Sequence, residues 1–224
     1  MRYYLYNSGA KIDMLFGQIP AKLLRCLAVE AKLDLKVLSV QLQSPRDEIS
    51  EYDRLQVVES YLEREYEVSW ITEPASWFRG DLPLRIAGYG RPSGPVFMTG
   101  QEGDTVVALI GSAHHLVGQR VGPESIPPSH AALPSLFRLL RETPEDWPLG
   151  EPRLALRDCG RARRNEPLRQ VLEFSRLLKE PAVYCDFLAR RLMHGTLTTE
   201  SGRELQIVVG TPLYVAQSDE AEGR

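Results

Sequence analysis

Cysteine is scarce in this chain and badly placed for any structural role. Cys26, Cys159 and Cys185 are the only three among 224 residues. They are odd in number, widely spaced and free of any CxxC pair, which excludes a disulfide framework or a zinc knuckle and points to a reduced, cytoplasmic compartment. Histidine is scarcer in proportion to its uses, with four residues. No HxxxH, HExxH or acidic cluster with ligand spacing occurs, so no metal site is expected. Charge of one sign is missing too: 27 basic against 30 acidic residues leave a net charge of −3 and a pI near 5.9. Such a balance offers no field to draw nucleic acid or an anionic membrane. No apolar run approaches the roughly 20 residues that span a bilayer. The start, Met1-Arg2-Tyr3-Tyr4-Leu5-Tyr6, has no signal-peptide core. GxxxxGK[ST] and GxGxxG are both absent, and the sequence names no cofactor.

What is present reads as an ordinary soluble protein with mixed elements. Hydrophobic residues make up 43 % and charged residues 25 %, enough to bury a core. Tyr3 to Tyr6 predicts a strand ended by the turn formers Asn7-Ser8-Gly9. Helical spacing follows, with Leu23, Leu27 and Ala31 on one face; Pro20 fits only a first turn, so Ile12 to Phe16 is read as a separate turn. Leu35 to Val40 reads as a buried strand. Ser44-Pro45-Arg46-Asp47 reads as the start of a helix carrying Leu55, Val58, Leu62 and Tyr66 on one face. Val68 to Thr72 and Leu82 to Ile86 look extended. Val96 to Thr99 and Thr105 to Ile110 predict a hairpin through Gly100 to Asp104.

Beyond Gly118 come two irregular, proline-rich stretches, 118–131 and 142–160, with a short helix between them at Leu133 to Arg141. Asn165 and Pro167 predict a helix start, with Leu168, Val171, Leu172, Phe174 and Leu178 as its apolar face. A second helix is expected over about Val183 to His194, with Gly195 as its C-cap. Leu205 to Val209 and Leu213 to Ala216 read as strands interrupted by Gly210-Thr211-Pro212. The expected fold is α/β or α+β: a mixed β-sheet flanked by helices, with a helical C-terminal part packing back on it. Residues 1–217 are read as a single domain, with 142–160 as the one place for a subdivision, and 218–224 as a disordered tail.

Candidate chemistry concentrates where apolar runs end. Val106 to Ile110 runs into Gly111-Ser112-Ala113-His114-His115, which holds half of the histidines. Gly111 and Ser112 could offer N–H groups and a hydroxyl to a phosphate, with a histidine alongside. Serine beside histidine also suggests a nucleophile and base, Ser112 with His114 or His115, although a third, orienting acid is not identifiable and the GxSxG elbow is absent. Adjacent histidines on an extended chain would point to opposite faces, which argues against both serving one site. Lys11 and Asp13 follow the first strand in a turn that opens a helix, a position at a sheet's carboxyl edge where ligands are met; the plain alternative is a surface ion pair. Trp77-Phe78-Arg79-Gly80 suits stacking on a base or a partner, against the commoner reading of core rings beside a surface arginine. Arg157, Arg161, Arg163, Arg164 and Arg169 form a basic concentration without interleaved aromatics.

Tyr4-Leu5-Tyr6, Lys11-Ile12-Asp13-Met14-Leu15, Gln18-Ile19-Pro20, Phe78-Arg79-Gly80-Asp81-Leu82-Pro83, Gly111 to Gly118 and Gly210-Thr211-Pro212-Leu213-Tyr214-Val215-Ala216 together resemble an uncharacterised actinobacterial family known as a domain of unknown function. The resemblance spans nearly the whole chain and implies no activity. The expectation is therefore a non-enzymatic sensor or regulatory module that binds a small anionic ligand, a nucleotide among the candidates, through Lys11, Asp13, Arg79, Ser112 and His114. A hydrolase or transferase using Ser112 is the alternative. A protein–protein adaptor using Trp77, Phe78 or the arginine-rich segment is the third. No membrane partner is expected, and nucleic acid is disfavoured.

Overall fold

The structure is a computed structural model that describes residues 2–30, 49–88, 94–118, 166–199 and 201–218. Its strands are β1 (Tyr3–Asn7), β2 (Val68–Trp70), β3 (Trp77–Gly88), β4 (Pro95–Glu102), β5 (Thr105–Ser112), β6 (Val183–Thr198) and β7 (Glu204–Gln217). The helices are α1 (Gly9–Phe16), α2 (Ala21–Glu30), α3 (Glu51–Glu65) and α4 (Glu166–Leu177), with a 3₁₀ turn at Ala113–His115. All seven strands belong to one mixed sheet. Following the pairings β7-β5-β4-β3-β6 returns to β7, so five strands close into a barrel. β1 and β2 lie outside that ring, on β7 and β3.

Closure gives the strands two covered faces. Inside the barrel Phe78, Leu82, Val96, Met98, Val107, Leu109, Phe187, Val208 and Val215 pack with Tyr6. One outer face buries Phe97, Ala108, Ile110, Leu197 and Ile207 beneath Leu168, Val171, Leu172 and Phe174 of α4. Another buries Trp77, Leu188, Leu213 and Tyr214 beneath α1, α2 and α3. Period-two alternation loses its polar half under such cover, so these strands read as near-continuous apolar runs.

Several elements follow the residues as expected. The hairpin β4–β5 turns at Gly103, whose φ of +57° suits glycine. The helix expected to start at Ser44 instead starts at Glu51 as α3: Ile49 and Ser50 are not helical, and Ser50 is its N-cap, with Oγ accepting from the Asp53 N–H at 3.1 Å. Leu55, Val58 and Leu62 are buried on it, whereas Tyr66 is exposed. α1 is a full helix rather than a turn, and Pro20 precedes α2, its carbonyl accepting from Leu23 and Leu24. The strand expected at Leu35 to Val40, the start at Ser44-Pro45, the helix at Leu133 to Arg141, both proline-rich stretches beyond Gly118 and the 219–224 tail fall outside the described residues.

The C-terminal part departs from expectation. The second helix predicted over Val183 to His194 is instead the 16-residue strand β6. Its spacing of Tyr184, Phe187, Leu188 and Leu192 imitates a helical face because β6 is apolar on both sides: Phe187 faces the barrel interior and Leu188 the helical layer. Pairing on both edges, with β3 and β7, overrides helix propensity. Gly195 caps nothing. A Cβ there would lie 2.6 Å from Leu168 Cδ1, so glycine lets α4 sit close on β6. Gly210-Thr211-Pro212 does not break the chain into two strands; it is an irregularity within β7. α4 does pack back on the sheet.

Candidate functional site

β7 changes neighbours midway. Gln206 to Gly210 pair in parallel with β5, and Tyr214 to Gln217 pair antiparallel with β1. Between them Leu213 bulges, since Leu188 of β6 faces Tyr214 while Ala189 faces Pro212. Carbonyls in that gap are therefore free for other donors. Leu213 O accepts from the Ser8 N–H at 2.9 Å, and Pro212 O from Lys11 Nζ at 2.7 Å. Thr211 Oγ1 takes a second bond from Lys11 Nζ at 2.6 Å. The gap thus seats the start of α1, where Ser8 is the N-cap and Lys11 lies in the first turn.

Polar groups gather there without obvious partners among the described residues. Ser8 is 0 % exposed, yet its hydroxyl caps no N–H and makes no hydrogen bond. Asn7 is 6 % exposed; its Nδ2 donates to Glu51 Oε1 at 2.9 Å while its Oδ1 is unpartnered. The Tyr6 hydroxyl lies near the Ser8 side chain and the Ser112 backbone but makes no well-formed bond to either, and burial pushes its pKa up to about 12. Gly111 is required beside it, because a Cβ would meet Tyr6 Oη at 2.5 Å. A Cβ at Gly9 would meet Glu51 Oε1 at 2.9 Å, the end of a side chain that can give way.

Lys11 has no carboxylate partner among the described residues. Burial lowers its pKa to about 7. His115 stands close enough to sense it: burial, then the charge of Lys11, then His114 bring the imidazole down to about 4. The His115 ring also packs edge-on to Tyr6 at 5.8 Å. The expectation that the two histidines diverge fails, because Ala113 to His115 turns as a 3₁₀ helix rather than extending β5. The rings of His114 and His115 lie 5.3 Å apart. Ser112 is N-cap of that turn, its Oγ accepting from the His114 N–H at 3.3 Å. His114 Nδ1 is buried and unpartnered.

The residues singled out in the sequence divide accordingly. Lys11, Ser112 and His114 gather near the end of β1, where His115 senses the charge of Lys11 and packs edge-on to Tyr6. Asp13 is one turn along α1 and pairs with Arg54 at 3.1 Å rather than with Lys11. Arg79 belongs elsewhere: it holds Glu59 at 3.2 Å and Glu63 at 2.5 Å on α3. Trp77 and Phe78 are buried in β3, so they offer no stacking surface. Arg169 is exposed on α4; the other four arginines of that segment fall outside the described residues. Neither His114 nor His115 hydrogen-bonds a carboxylate among the described residues, which leaves Ser112 without an assembled triad. No three His, Cys, Asp or Glu side chains among them gather as a metal site. No helix among them is long and apolar enough to cross a membrane.

Tyr6, Asn7, Ser8, Thr211 and Pro212 went unnoticed as site residues because they read as turn formers or strand breaks. The signal that finds them is a lysine in the first turn of a helix directly after a strand. A separate cavity of about 180 Å³ lies between α4 and the β4–β5 hairpin, lined by Arg85, Thr99, Gln101, Ser175 and Arg176 among others. It contains none of the residues above.

A family model described as a family of unknown function, DUF7019, matches residues 2–219. The chain belongs to that family. Its matched region includes every strand and helix that builds the β1–β7 site of this DUF7019 member. No curated protein and no solved structure matches the chain.

Proposed function

We propose that the protein is a non-enzymatic sensor or regulatory module that binds a small anionic ligand, nucleotides included, at the gap where β7 exchanges β5 for β1. One observation carries this reading: Lys11 is half-buried in the first turn of a helix, with only a hydroxyl and a carbonyl for partners among the described residues. An anion there would meet the lysine and the field of the α1 dipole, and would have to sit beside or displace the Glu51 carboxylate that lies over Gly9. Ser8 Oγ and His114 Nδ1 supply further polar atoms lacking partners among the described residues. Lys11, Ser112 and His114 remain the working residues, with Ser8 added. Asp13 and Arg79 serve as internal ion-pair partners.

The test is a thermal-shift screen of the whole chain against inorganic phosphate, nucleotides and phosphorylated metabolites. A ligand at 100 times its dissociation constant stabilises a fold by about 2.7 kcal/mol. The expected result is a shift that disappears in Lys11→Met and weakens in His114→Ala. A shift unchanged in both variants would place the anion elsewhere. No shift across the panel would leave the reading without a ligand and favour a protein partner.

A further inference from the structure

We propose that Lys11 is a nucleophilic amine that captures small anionic aldehydes as an imine. The inference rests on the anion-site reading for what brings the ligand in, and adds the chemistry of its reactive end. A protonated lysine carries three N–H donors, whereas a neutral one carries two donors and a lone pair. Lys11 Nζ has two acceptors, Thr211 Oγ1 and Pro212 O, and no carboxylate among the described residues. Those two acceptors satisfy the neutral amine and leave its lone pair unengaged. Burial favours the same form, with a pKa near 7, as in lysines that form Schiff bases.

The step balances without an external oxidant or reductant. The Nζ lone pair attacks the carbonyl carbon and a C–N bond forms. The carbonyl oxygen takes up a proton, giving a carbinolamine. That hydroxyl leaves as water with a second proton as the C=N bond forms, so the amine has lost both hydrogens and the aldehyde its oxygen. His115, neutral and close enough to feel the charge of Lys11, is the neighbouring base for those protons. The aldehyde's anionic group would take the α1 N-terminus.

Glyoxylate is the probe, with cyanoborohydride to fix the imine and peptide mapping to locate it. Lys22, exposed on α2, is the internal reference. Lys11 is expected to label about ten-fold faster than Lys22 at pH 7.5, and its rate to level off between pH 7 and 8 while that of Lys22 still climbs. In urea the two should label alike. Equal labelling in the native chain, a Lys11 rate still rising through pH 9, or a preference that survives in urea would overturn the proposal. Stabilisation by phosphate without Lys11 labelling would remove the imine and keep the anion site. Labelling without stabilisation by any anion would do the reverse.

Discussion

Lys11 sets the two sharpest tests at the scale of single residues. Its pKa is about 7 in the folded chain and about 10.4 in an unfolded one. Between those values the unfolded chain holds a proton that the folded chain lacks, so this residue makes stability rise with pH from 7 to 10. Below pH 7 the cost of burying the charge is present in full. Lys11→Met should therefore be more stable than the parent at pH 6 by about 1–2 kcal/mol, an advantage that fades towards pH 10. Urea midpoints at pH 6, 8 and 10, taken as differences between the two chains, check the sign. The same proton governs ligands: anion affinity should fall as pH rises through about 7, because only the ammonium attracts an anion. Ser8 gives a complementary test. Its hydroxyl is buried without a partner, so Ser8→Ala should leave stability unchanged or raise it by about 0.5 kcal/mol. If Ser8 serves the ligand, that variant should nonetheless weaken phosphate binding, read by titration. A loss of stability with no loss of binding would make Ser8 a structural residue.

At the scale of elements, strand pairing explains a conflict that spacing alone does not show. Asp81 of β3 stands directly opposite Asp186 of β6. Like charges in that position repel, and Asp186 has its pKa raised, first by burial and partly by Asp81. Arg2 and Tyr214 offset this at 3.7 and 3.2 Å. Asp81→Asn keeps an acceptor for Ser218 Oγ and should stabilise the chain by about 0.5 kcal/mol at pH 7. The gain should shrink in acid as Asp186, its pKa raised by burial, takes up its proton; a gain that persists there would have another cause. Local chemistry made some elements legible: β1 with its Asn7-Ser8-Gly9 stop, the hairpin at Gly103, and α4 with Pro167 in its first turn. β6 was not legible, because Leu, Ala, Arg and Met favour helix while the two covered faces of a closed barrel erase alternation. The site was half legible. Lys11 and the Gly111 to His115 segment could be read from strand ends, but the bulge at Leu213 that draws them together depends on pairing across some 200 residues.

For the molecule as a whole, closure makes the barrel and its coverings one structure in energetic terms. β6 alone sends Leu197 under α4, Phe187 into the barrel and Leu188 under the helices α1 to α3. Arg2, Arg79 and the Tyr214 hydroxyl all converge on Glu59 of α3, fastening the helical layer to β1, β3 and β7. Removing either layer would expose apolar surface on strands whose other face still needs them, so neither should leave first. With Trp70→Phe and Trp147→Phe, the one remaining tryptophan is Trp77, buried between β3 and the helical layer. Its fluorescence and the far-ultraviolet circular dichroism should trace a single coincident urea transition. Fluorescence changing at lower urea would mean that α1 to α3 detach from an intact barrel, and the anion site built on α1 would then be lost before the fold. Refolding should also be slow, in the range of about milliseconds to seconds, because β1 must find β7 and β3 must find β6 across most of the chain.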